Sequence, residues 1–366
     1  MNSEDYPVSA HKPTLASVAQ AAGVSLSTAS LAFSASGPIA EKTRAKVLAA
    51  AEGLGYRGPN PLGRQLRSGR SGIVGVVIGD QLRRSFRDPV SIQVLDGLAS
   101  TLGSLGLGVL LIPGGLTEDG RRVVDPLVET AGMDVAILIW GVHRADPTLD
   151  ALVRRGVPVV IGEGRPVEGA PLVGIDDRGG TAALTRHLTA LGHRRMAVIS
   201  LPFSATRRGG EVTDLRDEVI DWTPTLHRLQ GVHDAGVEPI ICWETEASLV
   251  EHGKAAALEI LSPARWPDPA DRPTAIIAQS DLLAAGAILG ARELGLRVPE
   301  DVSVAGFDGL DLPWLGSDVL TTVRQPLAEK GAALGRAVAS LIAGDEPETT
   351  VLDVELVIGT TTGPPA

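Results

Sequence analysis

The chain has 366 residues, too many for one ordinary hydrophobic core, so two or three domains are expected. Hydrophobic residues make up 44% and charged residues 21%, a soluble globular composition, and the single cysteine, Cys242, excludes an intramolecular disulfide framework or a thiolate metal cluster. The net charge of -11 argues against nucleic acid only until it is divided: residues 1–72 hold eight Lys/Arg against four Asp/Glu, leaving 25 against 40 for the rest, so positive charge is confined to a small front piece.

The opening MNSEDYPVSAHKPT lacks the charged-then-apolar pattern of a signal peptide, and no apolar run reaches the roughly 18 residues needed to span a bilayer. A cytoplasmic location with no membrane partner is expected. Three short helices follow. Thr14 caps the first, which runs to Ala22 with Leu15, Val18, Ala19 and Ala22 on one face, and Gly23 ends it. Ser25 caps the second, from Leu26 to about Phe33, with "AAGVS" as the tight turn of a helix-turn-helix. The third, Glu41 to Leu54, is expected to bury Val47, Leu48, Ala51 and Leu54.

The second helix, "LSTASLAF", carries its polarity on short hydroxyl side chains. Such a helix brings its backbone close to a flat surface and offers hydroxyls to base edges. A packed surface helix is the equally weighted alternative on this stretch alone. Next comes "GPNPLGRQLRSGRSG", with Asn60 as cap, Pro61 in the first helical position, and Arg64, Arg67 and Arg70 around one short turn. A helix this short, interrupted by Gly63, is not stable alone. Its arginines suit phosphate contacts and Leu66 suits a minor-groove wedge; a flexible basic linker is the plainer reading.

From Ile73 onward, short apolar runs alternate with helical patterns: "GIVGVVIG", "LGVLLIP", "VAILIWG", "VPVVIGE", "MAVISLP", "EPIICWE", "TAIIAQS" and "VSVAGFD". Runs of this kind are what a parallel sheet covered on both faces requires. Eight of them exceed one typical sheet, so two α/β lobes are expected, with crossovers near residues 160–165 and 310–325. Residues 204–226 and 266–273 read as surface loops.

Taken together, "TLASVAQAAGVSLSTAS", "TRAKVLAAAEGLGYRGPNPLGRQLRSGRSG", "RHLTALGHRRMAVIS" and "LTTVRQP" resemble the LacI/GalR family of transcriptional regulators, over residues 14–362 and in family order. The resemblance implies a helix-turn-helix headpiece (1–57), a hinge helix and linker (58–72) and a two-lobed core like periplasmic sugar-binding proteins (73–366) that binds effector and dimerises. It implies a homodimer or dimer of dimers on a pseudo-palindromic operator duplex. The second helix then enters the major groove, Leu26, Ser27 and Leu31 reading bases, with Thr14, Ser25, Thr28 and Ser30 beside them and Asn60, Arg64, Leu66 and Arg67 in the hinge. Leu66 matches the family's intercalating leucine. Many members have arginine, the strongest guanine reader, where this chain has Leu31, and the usual alanine is replaced by Gly63.

The same resemblance puts the effector between the lobes, with polar contacts at Glu163, Arg228, Ser280, Asp308 and Gln325, and Asp176 paired to Arg228. An arginine and two carboxylates around one cleft form a hydroxyl-binding set, because each ionised group takes a bidentate pair of hydrogen bonds. Sugars or sugar derivatives fit. Asp281 is expected to cap the helix after its strand. Many sugar-responsive members place an aromatic where Ser248 stands, five residues before Gly253, leaving stacking to Trp140, Phe86, Trp243 or Trp314, each of which is more often a core or interface residue.

His187 and His193 are six apart, a spacing that shares no helical face, so no metal site is expected, and no cofactor. No G-x-S-x-G or phosphate loop opens a helix after a strand in the required context. The expectation is an effector-controlled repressor and not an enzyme. The alternative is a cytoplasmic sugar-binding protein or sugar-acting enzyme whose front piece is incidental.

Overall fold

The computed structural model describes residues 13–33, 39–58, 69–79, 82–115, 121–140, 146–215, 218–346 and 348–366. They divide into two compact units, Met1–Ser71 and Gly72–Ala366.

The front unit holds α1 (Leu15–Ala21), α2 (Leu26–Ala32) and α3 (Glu41–Gly53). Thr14 and Ser17 form a reciprocal capping box on α1, and the Ser25 hydroxyl accepts from the Thr28 backbone amide at 3.1 Å. Gly23, at φ 60°, makes the turn that a side chain would strain. Val18, Ala19, Ala22, Ala29, Ala32, Val47 and Ala51 form the core, closed by an edge-on contact of Phe33 with Tyr56 at 5.6 Å. Leu48 and Leu54 are exposed instead of buried. The buried stripe of α3 runs through Val47 and Ala51, four apart; Leu48 sits one step round the helix, and Leu54 is its C-cap.

The second unit contains two sheets. The first has the order β12-β5-β4-β3-β1-β2 and is parallel throughout: β1 (Ile73–Ile78), β2 (Gly108–Pro113), β3 (Val135–Ile139), β4 (Val159–Gly162), β5 (Leu172–Ile175) and β12 (Thr350–Leu352). The second has the order β13-β11-β10-β9-β6-β8-β7: β6 (Met196–Ser200), β7 (Gly210–Val212), β8 (Ile241–Glu244), β9 (Ala275–Ala278), β10 (Ser303–Asp308), β11 (Thr321–Arg324) and β13 (Glu355–Val357), with only the edge strands β7 and β13 antiparallel. In chain order the helices of this unit are α4 (Leu82–Ser85), α5 (Pro89–Ser104), α6 (Pro126–Thr130), α7 (Pro147–Arg154), α8 (Asp177–Ala190), α9 (Thr223–Asp234), α10 (Val250–Ile260), α11 (Asp281–Glu293) and α12 (Leu327–Ala343).

Both faces of each sheet are covered, which is why the strands read as continuous apolar runs. In the first sheet, Val76, Ile137 and Ile139 pack under α5 and α12, while Val77, Ala136 and Leu138 face α6 and α7. The chain leaves this sheet at Asp176, not at 160–165. After β4 the chain turns back into β5, hydrogen-bonded alongside it, a strand hidden from the sequence by its four-residue length and Gly174. It returns at Gln325–Pro326, where β11 gives way to α12, and crosses a third time between β12 and β13. The segment 204–226 is not all loop: it holds β7 and the start of α9, and it buries Trp222.

Candidate functional site

A cleft between the two sheets encloses about 850 Å3, part of it open to solvent. Its polar groups come from the carboxyl ends of strands, where ligands bind in open α/β folds. Trp140 follows β3, Glu163 follows β4, Ser280 follows β9, Asp308 ends β10 and Gln325 follows β11; all five line the cleft, with Arg228 from α9. Trp140, Glu163 and Asp308 hold positive φ of 54°, 51° and 131°, a strain that marks the strand ends where side chains are turned into the cleft.

Arg228 is almost fully buried. Its Nε donates to Asp177 Oδ1 at 2.7 Å, its Nη1 donates to the Gln279 carbonyl and lies 3.7 Å from Asp308 Oδ1, and its guanidinium stacks on the Phe307 ring at 3.7 Å. The residue paired with Arg228 is therefore Asp177, not Asp176. Asp176 is the N-cap of α8, accepting from Gly179 N at 2.8 Å, and lies outside the cleft lining; the next residue, one step into the helix, is the one turned inward. A similar one-residue shift corrects the other cap. Ser280, not Asp281, caps α11, its hydroxyl accepting from Leu283 N and from the Ser248 hydroxyl at 2.8 Å. Asp281 is buried below, receiving the Thr322 hydroxyl at 2.6 Å and Leu310 N at 2.7 Å.

On the other side of the cleft, Glu163 Oε2 accepts from the Trp140 indole and from Lys330 Nζ, each at 2.7 Å. Lys330 also donates to Gln325 Oε1 at 2.6 Å, and the Gln325 amide donates to Asp308 Oδ1 at 2.7 Å. Four carboxyl groups thus share two cations, all of them buried. The imbalance decides which stay ionised. Burial pushes Glu163 upward, but the Lys330 ammonium, with help from Arg228 and the Trp140 indole, carries it below its ordinary value. Asp308 is held well above the usual carboxylate range by burial, with the Asp281 and Asp88 charges adding to it against Arg228. Burial also raises Asp177, and pushes Asp281 up to about 6.

Phe86 is exposed and does not line the cleft. Of the other aromatics singled out, Trp243 packs against the second-sheet core and Trp314 is half exposed on the surface. The aromatic face that sequence reasoning missed is Trp222, buried in the cleft wall with the Arg122 and Arg207 guanidinium groups each 5.6 Å from its ring. Its only signal is the "WTP" start of a helix, with Pro224 at the second helical position. Asp177 and Lys330 carried no signal: one reads as a helix-opening acid, the other as a surface charge. An exposed ion pair, Arg87 to Glu251 at 2.6 Å, joins the segment before α5 to α10.

The two histidines are engaged separately: His187 with the Thr362 hydroxyl at 3.1 Å, and His193 with the Thr274 hydroxyl at 2.9 Å and the Gly363 carbonyl at 2.8 Å. In the front unit, Thr14, Ser25, Leu26, Ser27 and Leu31 are exposed, and Thr28 and Ser30 half-buried, so α2 presents its small polar face and two leucines outward. Asn60, Arg64, Leu66 and Arg67 lie outside the described residues. Among the described residues no single helix is long and apolar enough to cross a membrane.

Comparison with known proteins matches residues 14–60 to the bacterial regulatory proteins of the lacI family, 72–219 to the periplasmic binding proteins and sugar binding domain of the LacI family, and 185–362 to a periplasmic binding protein-like domain. The chain is 34% identical to the HTH-type transcriptional regulator Rv3575c of Mycobacterium tuberculosis, covering 98% of this chain and 99% of the relative. It is 32% identical to the HTH-type transcriptional regulator IpsA of Corynebacterium glutamicum, covering 96% and 98%. Among solved structures, a transcriptional regulator CelR–cellobiose complex superposes with a TM-score of 0.66 at 30% identity, covering 95% of this chain and 99% of that one. The Lac repressor dimer bound to operator and an anti-inducer shares the fold, with a TM-score of 0.75 at 23% identity over 96% and 99%. An N-terminal helix-turn-helix unit followed by a two-sheet α/β body, matched along nearly its whole length to such regulators, makes this chain a member of the LacI family of transcriptional regulators.

Proposed function

We propose that the protein is a homodimeric repressor whose affinity for a pseudo-palindromic operator is set by a small polyhydroxy effector held between the lobes of the body. The cleft floor carries the effector half of this reading. Glu163, held below its ordinary value, uses one carboxylate oxygen on Trp140 and Lys330, so the other is the acceptor for a ligand hydroxyl, while Asp308, raised well above the usual carboxylate range by burial, brings a second carboxyl group to the same floor. Ser280 adds a hydroxyl, and Trp222 supplies the apolar face on which a sugar ring's C–H surface packs. The relative solved with cellobiose supports a carbohydrate as the class of ligand.

The exposed face of α2 supports the DNA half. Leu26, Ser27 and Leu31 would meet base edges, Leu31 through thymine methyl contacts, while Leu66 wedges the centre of the operator and Arg64 and Arg67 hold phosphates. The front piece then grips the duplex through counterion release.

Two measurements test this reading. A thermal-shift screen of neutral sugars, cyclitols and sugar acids is expected to raise the melting temperature with one chemical class, since a ligand stabilises by RT ln(1 + [L]/Kd). Binding to DNA from upstream of the gene is expected to weaken steeply as salt rises and to change in affinity when that ligand is added. Salt-insensitive binding, or a ligand without effect on operator affinity, overturns the proposal.

A further inference from the structure

We propose that Lys330 is the positioning residue of the cleft: one buried ammonium fixes both the charge of Glu163 and the orientation of the Gln325 amide, and so sets acceptors and donors of both lobes in one arrangement. The role rests on the cleft being the effector site, but it is built from contacts present without any ligand.

An ammonium only donates. The Gln325 atom facing Lys330 at 2.6 Å must therefore be the carbonyl oxygen, which leaves the amide nitrogen for Asp308 at 2.7 Å. A second ammonium proton goes to Glu163 at 2.7 Å. Glu163 belongs to the first sheet, Asp308 to the second, and Gln325 to the crossing between them, so a single side chain on the first turn of α12 ties all three. Lys330 is 1% exposed and does not itself line the cleft, so it acts through its partners. No ordinary packing demand explains it. A methionine fills nearly the same volume without the cost of a buried charge, and a lysine is kept fully buried only when paired.

Among the described residues, Lys330 and Arg228 are the two buried cations of this cluster. Glu163 faces Lys330 from α12, Trp140 from the end of β3, Arg228 from α9 and Asp177 from α8. Arg228 is already committed to Asp177 and Asp308. Without Lys330, Glu163 is left as a desolvated carboxylate beside the acidic Asp177.

The test is a double-mutant cycle on the full chain, with neither effector nor DNA present: wild type, Lys330→Met, Glu163→Gln and the combined variant, each melted from pH 8 to pH 4.5. In wild type the Glu163 carboxyl titrates below its ordinary 4.5, so it stays ionised and stabilising across this range. In Lys330→Met the same carboxyl titrates above that value, so the fold is penalised at high pH and the penalty is relieved as pH falls. At pH 8 the single variant is expected to melt lower by on the order of 5 °C or more, with the gap closing toward pH 4.5 and the combined variant recovering most of the loss. A gap that does not change with pH, or a combined variant that melts no higher than Lys330→Met, overturns the proposal. Should Lys330→Met fail to fold, recovery of a folded protein by Glu163→Gln supports it and continued misfolding counts against it. A failed sugar screen bears on the effector reading alone, and a failed cycle on Lys330 alone.

Discussion

The position of Lys330 depends on how closely α12 lies against α5, and that approach is set by glycines. A Cβ on Gly331 would stand 2.1 Å from the Val94 carbonyl oxygen and 2.7 Å from Leu98 N; a Cβ on Gly97 would stand 2.2 Å from the Ala328 carbonyl oxygen. These are backbone atoms, which no rotamer change moves aside. Gly331→Ala therefore forces the helices apart by about 1 Å, and a gap of that size forfeits a quarter to a half of each dispersion contact across it. Val94, Leu98, Leu334 and Val338 share this interface, all nearly fully buried. Intrinsic helix propensity alone favours alanine by roughly 1 kcal/mol. Set against the lost packing, a net destabilisation of about 2–4 kcal/mol is expected. Urea unfolding gives the midpoint, and Gly103→Ala, on α5 with nothing within 4 Å of the added carbon, is the control in which propensity alone acts and the midpoint holds or rises. A Gly331→Ala midpoint at or above wild type would refute the steric argument.

Trp222→Ala is expected to weaken effector binding roughly 10- to 100-fold while Trp222→Phe keeps most of it, by calorimetry with the sugar that stabilises wild type; equal affinity in all three would remove Trp222 from the site. Ser25→Ala removes the cap of α2, about 1 kcal/mol, and should speed amide exchange in that helix roughly fivefold with α3 less affected. Asp281, pushed up to about 6, holds a proton in the folded state that the unfolded chain has released, so it makes stability fall as pH rises from 4 to 6; Asp281→Asn removes this share of the slope, and wild-type and variant melting temperatures that stay parallel across this window would count against a buried, titrating Asp281.

Much of the fold was legible because double-covered parallel strands leave an unambiguous mark. All eight apolar runs became strands, whereas the missed ones, β5, β7, β11, β12 and β13, are three or four residues long and lie at or near sheet edges, where burial imposes less. In the cleft, six of the eight residues proposed for it do line it, five of them because strand ends in a βα unit must point at the crevice whatever the chemistry, and Arg228 from α9. The errors at Asp176 and Asp281 share a cause. In "IDD" and "QSD" adjacent polar residues compete for the cap, and only the backbone angle of the turn decides which one caps and which is carried inward. Lys330 and Asp177 were out of reach for a different reason: a helix period shows which face is buried, but not that a charge on that face has met its partner from another element, as Lys330 meets Glu163 and Asp177 meets Arg228.

Recognition and lobe geometry are one problem in this arrangement. Glu163 and Asp308 stand on different sheets, and the side-chain path between them runs through Lys330 and Gln325 at the crossing. A ligand that bonds to both carboxyl groups fixes their separation a second time, from the open side of the cleft. Each group is held on the end of a buried strand in a close-packed core, so the ligand cannot adjust one without moving a sheet. On the proposed reading, the free energy by which the effector prefers one separation is the whole of what it can pass to the operator, and the operator must return the same factor to effector affinity.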